Sequence, residues 1–328
     1  MDERPREAVS RHDEAARALI SRAVRAPSSH NTQPRRFRID GDGVSIHLDP
    51  QRRLPVNDPD DRELVISCGC ALMNLRVAAA AAGRGYRLET RPDGDRSTFL
   101  ARLTWRENEP DAEEAGLAPG IEHRRTVRQR FTLSAVPDED VEALVAMAAT
   151  EGATLRGIDP GEMRRHVADL VAEGDALQWR DPRWRRELAG WMRPPQRGDG
   201  LAVPRVALPF ARAAVTRFDL GARVGRHDRE LAEQAPRLLA LGTEGDTRAA
   251  RLRAGQALER VLLASSQLGL QASYLNQPIQ VASLRRRLQE MLGDCGRPQI
   301  LLRVGYPRSH PACVARRPLE DVIALESD

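Results

Sequence analysis

Between Pro27 and Pro34 the chain carries six successive polar side chains, Ser28, Ser29, His30, Asn31, Thr32 and Gln33. Each can donate or accept a hydrogen bond, and together they suit a surface that reads the edge of a planar heterocycle. The two prolines stiffen the segment, because each disfavours helical geometry at the residue before it, Ala26 and Gln33. The same composition also suits a Ser/Asn-rich turn that caps its neighbours. A second group is Arg124-Arg125-Thr126-Val127-Arg128, and a third is the pair Arg316-Arg317. For any one of these arginines the plain alternative is a solvated surface charge.

Regular elements must hold these groups. Ala16, Leu19, Ile20, Ala23 and Val24 recur at helical spacing, so a helix from about Asp13, preceded by a frayed arm over 1–11, leads into the polar loop. Phe37 to Ile39 and Val44 to Leu48 flank Asp40-Gly41-Asp42-Gly43, the pattern of a β-hairpin. From Leu64 to Ala82 almost every position is apolar, which marks a helix buried on nearly all sides, with Gly83 as its C-cap and a strand at Tyr86–Glu89. The pattern lapses around Leu117 to Glu122, which sets a boundary between halves at 118/119. A helix opens at Pro137-Asp138-Glu139-Asp140, its acidic first turn matched to the helix dipole. Residues 174–239 hold Trp179, Trp184, Trp191, Phe210 and Phe218 among many arginines and prolines. They read as an excursion, either a lid over a site or a packing subdomain. Regular structure resumes with a helix over 252–268, an extended Leu270–Leu275, a helix over Leu284–Leu292 and a strand over Gln299–Gly305.

Composition excludes several classes. With 328 residues, 41% of them hydrophobic and 30% charged, the chain has the profile of an ordinary globular protein able to bury a large core. No apolar run approaches the roughly 20 residues of a membrane span, and the charged N-terminal residues are unlike a secretory signal, so a cytoplasmic protein without membrane contact is expected. All 51 basic residues are Arg and none is Lys, which excludes Schiff-base and P-loop lysine chemistry. A net charge of only +4 and 4% aromatic residues argue against nucleic-acid binding. Cys68, Cys70, Cys295 and Cys313 form no C-x-x-C pair and match no zinc spacing, so no metal site or disulfide is implied. The signatures of dinucleotide folds, Walker ATPases, serine hydrolases and zincins are missing.

The two buried helices superpose at one constant offset, which sets Gly69 on Gly255, Ala71 on Ala257, Leu72 on Leu258, Ala78 on Ala264 and Gly83 on Gly269. The segment Ala26 to Phe37 resembles the Pro-Ser-x-x-Asn-x-Gln-Pro-Trp-Arg loop of the FMN-dependent nitroreductase superfamily, with Arg35 in the place of Trp. Arg124-Arg125-Thr126-Val127-Arg128 resembles that superfamily's Arg-Arg-Ser-x-Arg motif, with Thr for Ser. The polar loop occurs in the first part of the chain and the arginine motif in the second, each once. The chain therefore resembles two fused nitroreductase units that each keep one complementary part of a site, the pattern of the doubled, Acg-type branch. An internally duplicated α+β nitroreductase-like fold follows, with halves at 1–118 and 119–328.

What the resemblance implies is specific. One FMN would be held by both halves. Guanidinium groups beside a hydroxyl form a natural phosphate cradle, which gives Arg124 and Thr126, with Arg125 between them, the phosphate and ribityl oxygens, and Arg317, with Arg316 beside it, the C-terminal phosphate contact. Arg128 would stand nearer the ring, where positive charge favours the reduced anion. Pro27, Ser28, Ser29 and Asn31 would approach the ring edge, and backbone at Leu275 and Asn276 would lie near its N5 side. His30 receives no catalytic role. NAD(P)H would be the electron donor and a nitro compound, quinone or similar small molecule the acceptor. The chain would be a monomer that mimics a dimer, with further association open. The alternative is a catalytically weak protein that stores FMN beneath the excursion.

Overall fold

The computed structural model describes residues 4–90, 97–309 and 312–324. At its centre two twenty-residue helices, Arg62–Ala81 and Arg248–Gln267, lie against each other. The first is buried at every position except Arg76 and Ala81. By length and mean hydropathy (1.7) this helix is apolar enough to cross a membrane, contrary to the sequence expectation, but 89% of that window is buried inside the protein. It is a core helix. Close approach of the pair requires glycine: a Cβ on Gly69 would stand 2.3 Å from the Leu252 carbonyl oxygen, and one on Gly255 2.1 Å from that of Ile66.

Two four-stranded antiparallel sheets flank the helices. The first is built from β1 (Arg35–Asp40), β2 (Gly43–Leu48), β3 (Gly85–Thr90) and β4 (Phe99–Arg106) in the order β1-β2-β4-β3. After β5 (Thr154–Gly157) the chain makes a short parallel pair, β6 (Met192–Arg193) with β7 (Leu201–Ala202), and then β8 (Arg237–Thr243), β9 (Gln271–Tyr274) and β10 (Arg297–Gly305). The second sheet runs β5-β8-β10-β9, again all antiparallel. Each sheet thus has the same order, and each sends a central helix out between its second and third strands. That is the expected duplication, read directly from topology.

The copies differ at one connection. β1 turns into β2 through Gly41 and Asp42, whereas β5 and β8 are separated by residues 158–236. This insert carries the helices Glu162–Arg180, Pro182–Gly190, Leu208–Arg217 and Gly221–Glu233. The excursion expected over 174–239 is therefore an enlarged hairpin loop, and its last residues belong to β8. Leu238 to Thr243 are buried throughout, so β8 shows no alternation that a sequence reading could find.

Two further expectations are corrected. The first helix spans Arg4–Ala23 and so starts before Asp13; residues 1–3 of the expected arm lie outside the described residues. Leu117 to Glu122 is not an unstructured lapse, because Ala118–His123 is a short helix. A Cβ on its Gly120 would meet Leu263 backbone at 2.7 Å, so packing there selects small residues and hides the apolar period. One hydrophobic core joins both sheets, from Ile20, Phe37 and Leu103 through Leu72 and Leu258 to Leu241 and Leu302. The tail closes the fold by running parallel to β1: Phe37 N donates to Val322 O and Ala324 N to Phe37 O, both at 2.8 Å.

Candidate functional site

A cavity of about 770 Å³ opens where the polar loop, the first turn of the Arg62–Ala81 helix, the Arg124–Arg128 segment, the end of β9, the tail and the insert converge. From the first part of the chain Pro27, Ser28, Ser29 and Asn31 line it; from the second, Arg124, Arg125, Thr126 and Arg128, then Leu275 and Asn276, then Arg316. Arg317 does not line it. Its guanidinium lies 3.7 Å from Asp49 and donates to Asp321 O at 2.6 Å, and its backbone N–H donates to Gln33 Oε1 at 3.0 Å.

The polar loop is held in an uncommon shape. His30, Asn31 and Gln33 have φ of 49°, 53° and 51°, the left-handed region that non-glycine residues seldom enter. Gln33 N donates to Ser28 Oγ (3.0 Å) and Thr32 N to Ser29 O (3.0 Å), which closes the turn on itself. Gln33 Nε2 donates to Gly198 O at 2.7 Å, and Gly200 N to Asn31 O at 3.1 Å, so the insert clasps the loop from above. Thr32 and Gln33 are buried and turned away from the cavity, which leaves Ser28, Ser29, His30 and Asn31 facing it. Strain of this kind persists only where the surroundings impose it. Arg35 supplies part of that constraint. Wholly buried, it donates to the carbonyls of Val24 (2.7 Å), Ala26 (3.0 Å) and Pro27 (3.3 Å), and it lies outside the cavity lining.

One end of the cavity is cationic. Thr126 bridges Ala272, and Val127 N donates to Ala272 O at 2.9 Å, so the motif is held beside β9, with Arg124, Arg125, Thr126 and Arg128 all lining the cavity. Arg124 Nη2 and Arg316 Nη2 both donate to Arg25 O at 2.9 Å, and Arg316 Nε donates to Val24 O at 3.0 Å. With Arg35 they place three guanidiniums at the C-terminal end of the first helix, where the helix dipole favours positive charge. Burial lowers Arg316 to about 9, and Arg124 and Arg35 add to the effect. Arg25 is paired with Glu122 at 2.9 Å, and Arg125 Nη1 is spent on the carbonyls of Glu122 and Arg124.

The middle is organised by Glu63, a buried residue that sequence reasoning missed. Its carboxylate accepts from Ser29 Oγ (2.5 Å), Gln280 Nε2 (2.9 Å), Arg62 Nη2 (3.1 Å) and Asn276 Nδ2 (3.4 Å). The Asn276 side chain also accepts from Leu301 N at 2.9 Å, and Leu275 N donates to Leu301 O at 2.9 Å. That Leu275 N–H is therefore engaged within the fold and not directed at a ligand. Burial, with a smaller push from Arg128 and against the pull of Glu63, lowers His30 to about 4, so its imidazole is neutral at pH 7.

The insert roofs the other end with Trp179, Trp184, Leu188, Val224 and Leu231. Trp184 Nε1 donates to Asn57 Oδ1 at 2.9 Å, and the Glu187 carboxylate accepts from Val56 N (3.0 Å) and Asn57 N (2.8 Å), which pins the roof to the first part of the chain. Beneath it Gln277 Nε2 donates to Asp228 (2.7 Å) and Asp175 (3.2 Å). Burial, then the neighbouring Asp228, pushes Asp175 up to about 7. Glu63 had a faint sequence signal, an acid in the first turn of an apolar helix. Asp175 and Asp228 had none, because only the insert's folding brings them here. A cationic end, a strained polar middle and an aromatic roof can hold an elongated anion that carries a flat ring.

No protein-family model matches the chain. A Mycobacterium tuberculosis H37Rv protein, Rv3131, provisionally named an NAD(P)H nitroreductase, is 34% identical over 303 residues, covering 89% of this chain and 85% of the relative. Acg of the same organism, with the same provisional name, is 30% identical over 321 residues, covering 95% and 96%. Among solved structures the chain is similar to the FMN-dependent nitroreductase NfnB of Mycobacterium smegmatis in complex with NADPH (18% identity, 65% of this chain and 99% of that one, TM-score 0.44). It is also similar to the NADPH:FMN oxidoreductase of Vibrio harveyi (14%, 65% and 77%, TM-score 0.41). The assignment rests on the sequence relatives, since structural likeness at this level adds nothing to it.

Proposed function

The chain belongs to the NAD(P)H nitroreductase family, in the branch that includes Acg, and from that premise we propose that it is an oxidoreductase that binds one FMN and uses NAD(P)H to reduce nitro compounds, quinones or similar small acceptors. The observation that carries the reading is the single cavity lined by both complementary motifs, the polar loop from the half proposed as 1–118 and the arginine motif from the half proposed as 119–328. When bound, FMN supplies two-electron hydride chemistry. The residues present fit it. Arg35, Arg124 and Arg316 gather around one carboxylate, Glu259, so the cationic end carries excess positive charge, and Arg124 and Arg316 both line the cavity. That end suits a phosphate dianion, with Thr126 and Arg125 toward the ribityl chain. Arg128 favours negative charge on the ring. Pro27, Ser28, Ser29 and Asn31 orient the ring edge, and Glu63 fixes Ser29 and Asn276 in place. The roof excludes water.

One observation favours a second reading, storage of FMN: the roof is hydrogen-bonded to the polar loop through Gly198 and Gly200 and to the first part of the chain through Trp184 and Glu187. A roof so fastened restricts entry of an acceptor. Steady-state oxidation of NADPH by the flavin-loaded protein with a nitroaromatic separates the two; sustained turnover supports the enzyme, and bound flavin without turnover supports the store. The internal pairing of the two copies suits a monomer, and light scattering at the mass of one 36.4 kDa chain would agree.

A further inference from the structure

Glu259, on the Arg248–Gln267 helix, is wholly buried, and its carboxylate has the Asn74 amide as a loose donor but no close hydrogen bond among the described residues. A buried carboxylate so weakly partnered is rare and costly, so its presence calls for a physical reason. Its nearest cation is Arg124, whose Nε lies 3.5 Å from Oε1, beyond hydrogen-bonding geometry. The groups that face it come from every neighbouring element: Arg124 from the motif, Arg35 from β1, Arg316 from the tail, Cys70 and Asn74 from the Arg62–Ala81 helix, and Tyr274 from β9. Burial holds the Cys70 thiol and the Tyr274 hydroxyl neutral by raising both far above their ordinary values. Burial also pushes Glu259 up to about 7, against the pull of Arg124, Arg35, the Asn74 amide and Arg316. Within this cluster Glu259 is thus the group whose charge changes near neutrality.

We propose that Glu259 is the charge-setting residue of the cationic end: acting through Arg124, it couples capture of a phosphomonoester to uptake of a proton. The inference rests on the reading that an FMN phosphate lies at Arg124 and Arg316. A dianion there adds negative charge beside Glu259 and competes for the one guanidinium in contact with it, and both effects favour the neutral carboxyl. By linkage, affinity for the phosphate is then highest with Glu259 protonated and falls as pH rises through its titration. Above about pH 6.5 the phosphate itself stays largely dianionic, since its second ionisation lies near 6; Asp175 and Arg316 also line the cavity and are shifted to about 7 and about 9, so the riboflavin control and the Glu259→Gln variant separate Glu259 from them.

The test titrates the full-length protein, freed of bound flavin, with FMN and with riboflavin from pH 6.5 to 8.5, and measures proton uptake by calorimetry in two buffers of different ionisation heat. For the wild type, FMN affinity should fall roughly three- to tenfold further than riboflavin affinity between pH 7 and 8.5, with a fraction of a proton taken up on FMN binding beyond that on riboflavin binding. Glu259→Gln should bind FMN at pH 8.5 more tightly than the wild type does, with a clearly shallower slope. Flat wild-type FMN affinity without proton uptake, or an unchanged slope in Glu259→Gln, overturns the proposal while the FMN reading stands. Should Glu259→Gln fail to fold, wild-type calorimetry decides alone. A wild-type protein that binds no FMN at any pH removes the reading itself and the proposal with it.

Discussion

Gly69 and Gly255 meet reciprocally at the crossing of the two central helices: a Cβ built on either would come within 2.8 Å of the other's Cα. These are also the two residues that the internal repeat sets on each other. The crossing of the two central helices is therefore a contact between the glycines that the repeat makes equivalent.

That contact is intolerant of side chains. Gly69→Ala or Gly255→Ala forces apart backbones that touch, and each should lower stability by about 1–3 kcal/mol, the usual cost of overpacking. Chemical denaturation measures it; an unchanged denaturant midpoint in both would mean that the helices have slack the structure does not contain.

Arg124 and Arg128 both line the cavity. The double replacement Arg124→Ala/Arg128→Ala should give a folded but colourless protein with FMN affinity lowered by at least tenfold, since charge-assisted hydrogen bonds are each worth about 1.5–3 kcal/mol. Flavin content after gel filtration reads this out, and retention of stoichiometric FMN would place the phosphate elsewhere.

Asp175 gives a pH signature. Its folded-state value is raised from 3.8 to about 7, so the folded protein favours the neutral acid, and the stability this contributes is full below pH 4 and lost as pH rises through 7. Asp175→Asn keeps an acceptor for Gln277 without the charge. It should melt a few degrees above the wild type at pH 8 and close to it at pH 5; equal differences at both pH values would show that Asp175 does not titrate in this range.

The roof is fastened by Trp184 to Asn57 and packed by Trp179, with ring centroids 5.5 Å apart. Trp184→Ala should speed flavin release by roughly tenfold or more, because a buried aromatic contributes about 3–5 kcal/mol to packing. Displacement of FMN by excess riboflavin gives the rate, and an unaltered rate would mean that the insert does not gate the cavity.

Strong periodicity made much of this fold legible. The buried run after Leu64 and the hairpin around Gly41 announced themselves, and Gly83 and Gly269 marked matching helix ends with φ of 70° and 74°. β8 did not, because burial on both faces erases the alternation that identifies a strand. The excursion was visible from its Trp and Pro content, but its position as an overgrown hairpin depends on strand pairing far along the chain. At the cavity, residues grouped in motifs were readable, whereas Glu63, Glu259, Asp175 and Asp228 became meaningful only when distant segments met. Arg316 and Arg317 show the limit most plainly. Neighbours of identical chemistry, one faces the cavity and the other Asp49, a choice made by the local backbone of the tail and not by residue type.

The central claim is one flavin site per doubled chain, and the most direct measurement is the visible spectrum of the purified protein with identification and counting of the chromophore released by heat. The account expects an oxidised-flavin spectrum and FMN at one per chain, restored by adding FMN if lost in purification. Two flavins per chain, or a colourless protein that takes up no FMN, would contradict it.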